Sequence, residues 1–190
     1  MTRILIINNA VAGISEFTNP LVRIVSSCQA HSTVVDYEYS PSIDYSEYDG
    51  IIMSGSPQGD DIVEHHAPFF RWIKNCEVPV FGICAGHHIT GFLYGSEILK
   101  SIEPESGDVK IQILKEDSLL NYPVDHFLAR QMHNDSITLP EHFDLLATSS
   151  ICKVQLMKHK QKPIYTSQFH PEINNPEIIK NFVALCGFTK

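Results

Sequence analysis

The first half of the chain alternates short apolar runs with longer segments of helical character, and this alternation limits the fold more than any other feature. The apolar runs are rich in Ile and Val, which is typical of strands buried on both faces of a sheet. These strands are predicted over residues 3–8, 33–36, 50–53 and 79–83. Helices are predicted over residues 19–30, 67–75 and 86–94, the first of them beginning at Asn19-Pro20 as its N-cap and first turn. Such alternation favours a mostly parallel sheet with helices on both faces.

The second half has a different pattern. Apolar and polar residues alternate with period two over residues 109–113, 127–132 and 154–157, which predicts antiparallel strands or hairpins at the edge of the sheet. A last strand is predicted over residues 164–168, and a final helix capped by Asn175-Pro176 ends near residue 186. We therefore expect an α/β fold with an open, mixed, mainly parallel sheet flanked by helices. The length of 190 residues fits a single domain over residues 1–190.

Charge and hydropathy exclude two classes of partner. The chain has 14 Lys and Arg against 22 Asp and Glu, a net charge of −8, and it has no basic cluster. Nucleic-acid binding is therefore not expected. No apolar run approaches the ~18–20 residues that a membrane-spanning helix requires, and the first residues lack the pattern of a secretory signal. We expect a cytoplasmic protein without a membrane partner.

The cysteines and histidines do not have the spacing of a metal site. The chain has five cysteines, with wide spacings and no C-x-x-C pair, which argues against both a disulfide framework and a zinc site. The pairs His65-His66 and His87-His88 are adjacent in sequence. Neighbouring residues on a helix point about 100° apart, so they rarely bind one ion. We therefore expect reduced thiols, no metal and no cofactor.

One cysteine lies in a distinctive setting. Gly82-Ile83-Cys84-Ala85-Gly86 follows an apolar strand and opens a helix, which is the pattern of a nucleophile elbow with cysteine in the place of serine. Glycines are needed because side chains would clash in so sharp a turn. A helix N-terminus also stabilises a thiolate. The alternative at this point is a glycine-flanked cysteine of the core.

A candidate base follows the last strand. A cysteine nucleophile needs a base, and a histidine base needs an acceptor for its other ring nitrogen. In Gln168-Phe169-His170-Pro171-Glu172, Glu172 is two residues from His170 and is expected to reach its imidazole. The alternative is a surface turn with a solvated histidine.

A glycine-rich segment, Ser54-Gly55-Ser56-Pro57-Gln58-Gly59, follows the third strand. Its backbone N–H groups and that of Ala85 are suited to an oxyanion hole. The segment lacks both the lysine and the glycine spacing of nucleotide-phosphate loops. The alternative is an ordinary turn.

Taken together, and in their order along the chain, these three segments resemble the class I glutamine amidotransferases, most closely the glutaminase domain of GMP synthase and its stand-alone relatives. Weaker similarities occur at Tyr94-Gly95-Ser96, at Glu105-Ser106-Gly107 and over residues 132–140, so the resemblance covers roughly residues 3 to 185. It implies a flavodoxin-like fold. It also implies hydrolysis of the glutamine side-chain amide through a γ-glutamyl thioester, with release of ammonia.

The resemblance also implies the role of each site residue. Cys84 is the nucleophile, His170 the base and Glu172 the residue that orients it. Ser56 and Ala85 supply the oxyanion hole through their backbone. The substrate, a small molecule such as glutamine or another γ-glutamyl compound, is bound by Gly55, His88, His133 and Asn134.

Three positions depart from the family pattern. His88 replaces a glutamine that contacts the substrate, Ser56 replaces a glycine and Met132 replaces a serine. Two alternatives therefore stay open: a γ-glutamyl peptidase or hydrolase acting on a larger substrate, and a non-catalytic regulatory subunit. Because 190 residues leave no room for a synthetase domain, we expect either a separate synthetase subunit that uses the ammonia or a plain hydrolase.

Overall fold

The structure, a computed structural model, describes residues 1–187, except for the side chain of Asp60. Eleven strands are present in this part of the chain: β1 (Arg3–Asn8), β2 (His31–Asp36), β3 (Gly50–Met53), β4 (Val80–Ile83), β5 (Ile98–Leu99), β6 (Glu105–Ile113), β7 (His126–His133), β8 (Ser136–Ile137), β9 (Phe143–Thr148), β10 (Leu156–His159) and β11 (Ile164–Ser167). The α-helices are α1 (Thr18–Ser27), α2 (Val63–His66), α3 (Ala85–Leu93), α4 (Pro171–Asn174) and α5 (Pro176–Gly187). No helix of the described residues is long and apolar enough to span a membrane.

Nine of the strands form one mixed sheet in the order β2-β1-β3-β4-β11-β10-β9-β6-β7. The first five of these strands are parallel to one another. The remaining four, β10, β9, β6 and β7, continue the sheet in antiparallel order. Strands β5 and β8 pair separately as a short antiparallel ladder. The expected open, mixed and mainly parallel sheet is thus confirmed.

The core lies on both faces of this sheet. Ile4 and Ile6 of β1 pack into one apolar cluster together with residues of α1 and α5. Leu5 and Ile7 of the same strand pack into a second cluster, with residues of α3 and of a 3-10 helix over Ala67–Lys74. Because successive side chains of a strand point to opposite faces, a continuous apolar run is what a strand covered on both sides requires.

Two predicted helices differ from the structure. Helix α1 begins at Thr18 with Phe17 as its N-cap and ends at Ser27, so Asn19-Pro20 lies inside the first turn, where N–H groups have no helical partner in any case. The segment predicted as a helix over residues 67–75 is the 3-10 helix, preceded by α2. Pro68 has no N–H to donate to Glu64, so α2 does not continue through it.

Candidate active site

Cys84 occupies the turn between β4 and α3. Its backbone has φ 47° and ψ −95°, a conformation that residues other than glycine rarely adopt. Its N–H donates to the carbonyl of Ser167 over 2.8 Å, and its own carbonyl accepts from the N–H of His88 over 3.0 Å. Such strain costs roughly 1–3 kcal/mol and is typical of functional sites. The strained turn supports the elbow over the alternative of an ordinary core cysteine.

Close backbone packing explains the two glycines of the elbow. A Cβ added to Gly82 would lie 2.6 Å from the carbonyl oxygen of Gly86, and a Cβ added to Gly86 would lie 2.8 Å from Cβ of Met53. Both distances are too short for real side chains. The clash expected from the sequence is therefore confirmed, and the start of α3 is fixed against the end of β3.

The imidazole of His170 and the carboxylate of Glu172 are paired. Nδ1 of His170 lies 2.7 Å from Oε1 of Glu172, and both side chains are buried. Pro171 is the first residue of α4, so Glu172 reaches the ring from the first turn of a helix rather than from an extended segment. The predicted contact is present, and the solvated histidine of the alternative is not.

Two further residues confine the ring of His170. Phe17 stacks on the imidazole, with ring centroids 4.9 Å apart and an angle of 29° between the planes. A Cβ added to Gly55 would lie 2.8 Å from Cε1 of His170 and 3.5 Å from Cγ of Phe17. Gly55 therefore lies against the imidazole ring. The stacking by Phe17 has no local sequence signal, because it joins residues far apart in the chain.

The surroundings of His170 favour the protonated form of its imidazole. Burial of the imidazole works against protonation, but Cys84 and Glu172 outweigh this effect and raise the pKa of His170 to about 10. Nε2 of the ring has no hydrogen-bond partner among the described residues. Cys84 is nevertheless close enough to raise the pKa of the imidazole. Loose contacts of this kind are common in catalytic sites without substrate. A protonated histidine beside a cysteine is the arrangement that supports a thiolate nucleophile.

One of the expected oxyanion-hole residues lies in the elbow and the other lies in the glycine-rich segment. Ala85 is the first residue of α3, so its N–H has no partner within the helix. Ser56 is half-buried in the segment after β3, one residue from Gly55. Because Gly55 lies against His170 and Gly86 lies against Met53, this segment and the elbow meet at one edge of the sheet.

His88 is buried behind Cys84. Only 1% of its surface is exposed, and its Nε2 lies 2.7 Å from Oε1 of Gln168. Nε2 of Gln168 lies in turn 4.0 Å from the sulfur of Cys84. Gln168 belongs to the motif that contains His170, but no pattern in the sequence indicates a role for it. The structure therefore adds one side chain in contact with the candidate nucleophile.

The two remaining candidate residues make other contacts. His133 is buried, with Nδ1 2.9 Å from the carbonyl oxygen of Asp135 and Nε2 3.3 Å from Oε2 of Glu105. Asn134 lines a cleft of about 420 Å³ together with Gln58 and others. Asn134 thus faces the same opening as the end of the glycine-rich segment.

One buried group has the composition of a metal site. Ligand-type atoms of Glu105, His133 and Cys152 all lie within 4.8 Å of one another. Oε1 of Glu105, however, accepts from the hydroxyl of Ser149 over 2.5 Å, and Oε2 accepts from the amide of Gln155 over 2.5 Å. Burial and nearby carboxylates raise the pKa of Cys152, which disfavours a thiolate ligand. Hydrogen bonding therefore accounts for the group.

Comparison with curated proteins identifies clear relatives. The chain is 40% identical over 146 residues to a subunit of the glutamine-hydrolysing GMP synthase of Methanococcus aeolicus, and the match covers 74% of this chain and 76% of the relative. It is 38% identical over 147 residues to the corresponding subunit from Methanocaldococcus jannaschii, with 75% and 76% covered.

Solved structures agree with the fold. A Thermoplasma acidophilum protein assigned as a GMP synthase subunit superposes with a TM-score of 0.89 and 26% identity, over 98% of this chain and 94% of that one. A Thermotoga maritima glutamine amidotransferase gives a TM-score of 0.74 at 19% identity, over 97% and 81%, and supports the fold alone. The family model for class I glutamine amidotransferases matches residues 11–185. The chain therefore belongs to the class I glutamine amidotransferase family.

Proposed function

We propose that this protein hydrolyses the γ-glutamyl C–N bond of glutamine and releases ammonia, with Cys84 as nucleophile, His170 as base and acid, and Glu172 as the residue that orients the ring. One observation carries the proposal. A buried, hydrogen-bonded His170–Glu172 pair lies beside a cysteine held in a strained strand-to-helix turn. A merely structural cysteine has no need of either feature.

In the proposed reaction the sulfur of Cys84 attacks the amide carbon, and the backbone N–H groups of Ser56 and Ala85 stabilise the oxyanion that forms. His170 gives a proton to the departing ammonia, which leaves a γ-glutamyl thioester. A water molecule, deprotonated by His170, then attacks the thioester and releases glutamate. Glu172 accepts the Nδ1 hydrogen bond throughout and stabilises the imidazolium.

We also propose a partner. The curated relatives are named as one subunit of a glutamine-hydrolysing GMP synthase, a name that implies a further subunit. By this similarity, the ammonia released by our protein passes to a separate synthetase subunit. Glutamine is bound at its amino-acid end near Asn134, in the cleft that this residue lines with Gln58 and others.

His88 supports a second candidate substrate class. The family glutamine at this position contacts the substrate, whereas His88 is buried and lies 2.7 Å from Gln168. A site without that amide has fewer hydrogen bonds for free glutamine. A γ-glutamyl peptide or a related larger compound is therefore the alternative substrate.

The test measures glutamate and ammonia released from glutamine and from a panel of γ-glutamyl peptides, with and without extract of the source cells. Release of ammonia from glutamine, stimulated by the extract, supports the amidotransferase with a synthetase partner. Cleavage of the peptides alone supports the second candidate. If none of the substrates is cleaved under any condition, the protein is a non-catalytic subunit and the proposal is overturned.

A further inference from the structure

A chain of buried polar groups leads from α3 through Gln168, the residue after β11, to the candidate nucleophile. His88 of α3 contacts Oε1 of Gln168 through its Nε2 over 2.7 Å, and Gln168 offers its Nε2 to the sulfur of Cys84 over 4.0 Å. Both His88 and Gln168 are fully or almost fully buried. Water therefore does not compete for these contacts, and each polar group depends on its protein partner.

The donor and acceptor roles along this chain follow from chemistry. Oε1 of Gln168 can only accept, so Nε2 of His88 carries the proton and donates it. With its oxygen held by His88, the Gln168 side chain must turn its NH2 group to the other side, where the sulfur of Cys84 lies. His88 thereby determines which end of the Gln168 amide meets the nucleophile.

We infer that Gln168 is a further catalytic residue, whose amide N–H stabilises negative charge on the Cys84 sulfur, and that His88 is the positioning residue that holds this amide in the required orientation. The inference rests on the proposed function. Gln168 stabilises charge on the sulfur of Cys84, whereas the oxyanion hole stabilises charge on the carbonyl oxygen of the substrate.

The step that Gln168 assists is the breakdown of the thioester. Water adds to the thioester carbonyl carbon and gives up a proton to His170. The C–S bond then breaks, its electron pair goes to the sulfur of Cys84, and glutamate leaves with the new C–O bond. The Gln168 N–H donates to the sulfur as it becomes a thiolate, so it favours the free enzyme over the thioester.

Gln168→Glu tests the donor without changing the shape of the side chain. A carboxylate still accepts the hydrogen bond from His88, but it has no N–H for the sulfur. We expect the ratio of thioester to free enzyme at steady state to rise by about tenfold, the low end for a hydrogen bond to a charged group. Intact-protein mass spectrometry after acid quenching measures this ratio, with a γ-glutamyl anilide as substrate.

His88→Leu and His88→Gln test the positioning. Leu cannot donate to Gln168, so the thioester should accumulate as it does in Gln168→Glu. Gln offers an amide N–H in place of the imidazole N–H and should restore the wild-type ratio. Rescue by Gln but not by Leu is a result that a purely structural role for His88 does not produce.

Thr166→Val is the matched control. Thr166 of β11 bonds through its hydroxyl to Nδ1 of His87 over 2.7 Å, so an equally buried histidine contact joins α3 to the strand that ends one residue before Gln168. This variant should keep the wild-type thioester ratio. Equal ratios in wild type, Gln168→Glu and His88→Leu would overturn the inference while leaving the proposed function intact. A wild type that forms no thioester on Cys84 would overturn both.

Discussion

Oε1 of Glu172 lies 2.7 Å from Nδ1 of His170, and both side chains are about 1% exposed. Because the carboxylate accepts from Nδ1, the second ring nitrogen is the one that can exchange a proton with substrate and nucleophile. The pairing thus divides the chemistry between two residues, with His170 moving the proton and Glu172 holding the ring.

His170 and Glu172 should therefore contribute unequally. His170→Ala removes the proton carrier and should lower kcat nearly as much as loss of Cys84. Glu172→Gln keeps a carbonyl oxygen for Nδ1 and should retain about 10–100-fold more activity than His170→Ala. Steady-state kinetics of the two variants checks this order. Greater damage from Glu172→Gln than from His170→Ala would contradict the assigned roles.

Gly55→Ala should impair catalysis by displacing His170. The new Cβ would lie 2.8 Å from Cε1 of the imidazole, so the ring must move. A displacement of about 1 Å in a catalytic group costs on the order of 100-fold in rate, and kcat should fall by about that amount. Gly187→Ala is the control, since its Cβ would meet Thr2 at an ordinary 3.5 Å. Full activity of Gly55→Ala would show that the imidazole of His170 can accommodate the added Cβ without loss of catalysis.

The raised pKa of His170 predicts how stability depends on pH. Burial opposes protonation, but Cys84 and Glu172 raise the pKa of His170 to about 10, above the ordinary value of 6.5. The folded protein therefore holds a proton that the unfolded chain releases above pH 6.5. This stabilisation is complete below about pH 6.5 and is lost as pH rises through about 10.

The free energy of unfolding should accordingly fall more between pH 7 and pH 10 in wild type than in His170→Ala. Denaturant titrations of the two proteins measure this difference in the free energy of unfolding. Groups that titrate in both proteins contribute equally to each and cancel in the comparison. Parallel pH profiles would mean that His170 does not carry the extra proton.

His88→Gln should improve the use of free glutamine. It restores the family residue, whose amide N–H can donate to Gln168 while its carbonyl oxygen accepts from the amino-acid end of the substrate. An unpaired polar group there costs about 1–3 kcal/mol, so kcat/KM for glutamine should rise by roughly one to two decades. Assays on glutamine and on γ-glutamyl dipeptides from pH 6 to 8 make the comparison. If kcat/KM and its pH profile stay the same for every substrate, His88 does not determine the choice of substrate.

Much of the fold was predictable because its signals are local. The apolar runs of β1 and β3 and the glycines around Cys84 each act within a few residues of the chain. Strand β9, over Phe143–Thr148, was not predicted. Its buried residues do not alternate regularly, because it lies inside the sheet between β10 and β6.

The site was predictable only in part, because only some of its contacts join residues that are close in sequence. The contact between His170 and Glu172 spans two residues and follows from their spacing. The stacking of Phe17 on His170 and the contact of His88 with Gln168 each join distant parts of the chain. Such contacts depend on how α1, α3 and β11 pack, which no local pattern encodes.

Cys84 should also react differently from the other four thiols. Burial raises the pKa of Cys76, and it raises the pKa of Cys186 to about 12, so both stay protonated at neutral pH. Cys28 is half-buried, so it is the thiol that competes with Cys84 for a thiol-reactive reagent. A chloroketone analogue of glutamine should therefore label Cys84 before Cys28, as peptide mass spectrometry of the labelled protein would reveal.

Turnover by Cys84→Ala, measured beside wild type on the substrate that wild type cleaves best, tests the central claim most directly. The substitution removes the sulfur and adds no bulk, and circular dichroism with a thermal melt establishes that the fold is kept. We predict that release of glutamate falls to the background of the uncatalysed reaction. Wild-type turnover by Cys84→Ala would contradict the nucleophile and the mechanism built on it.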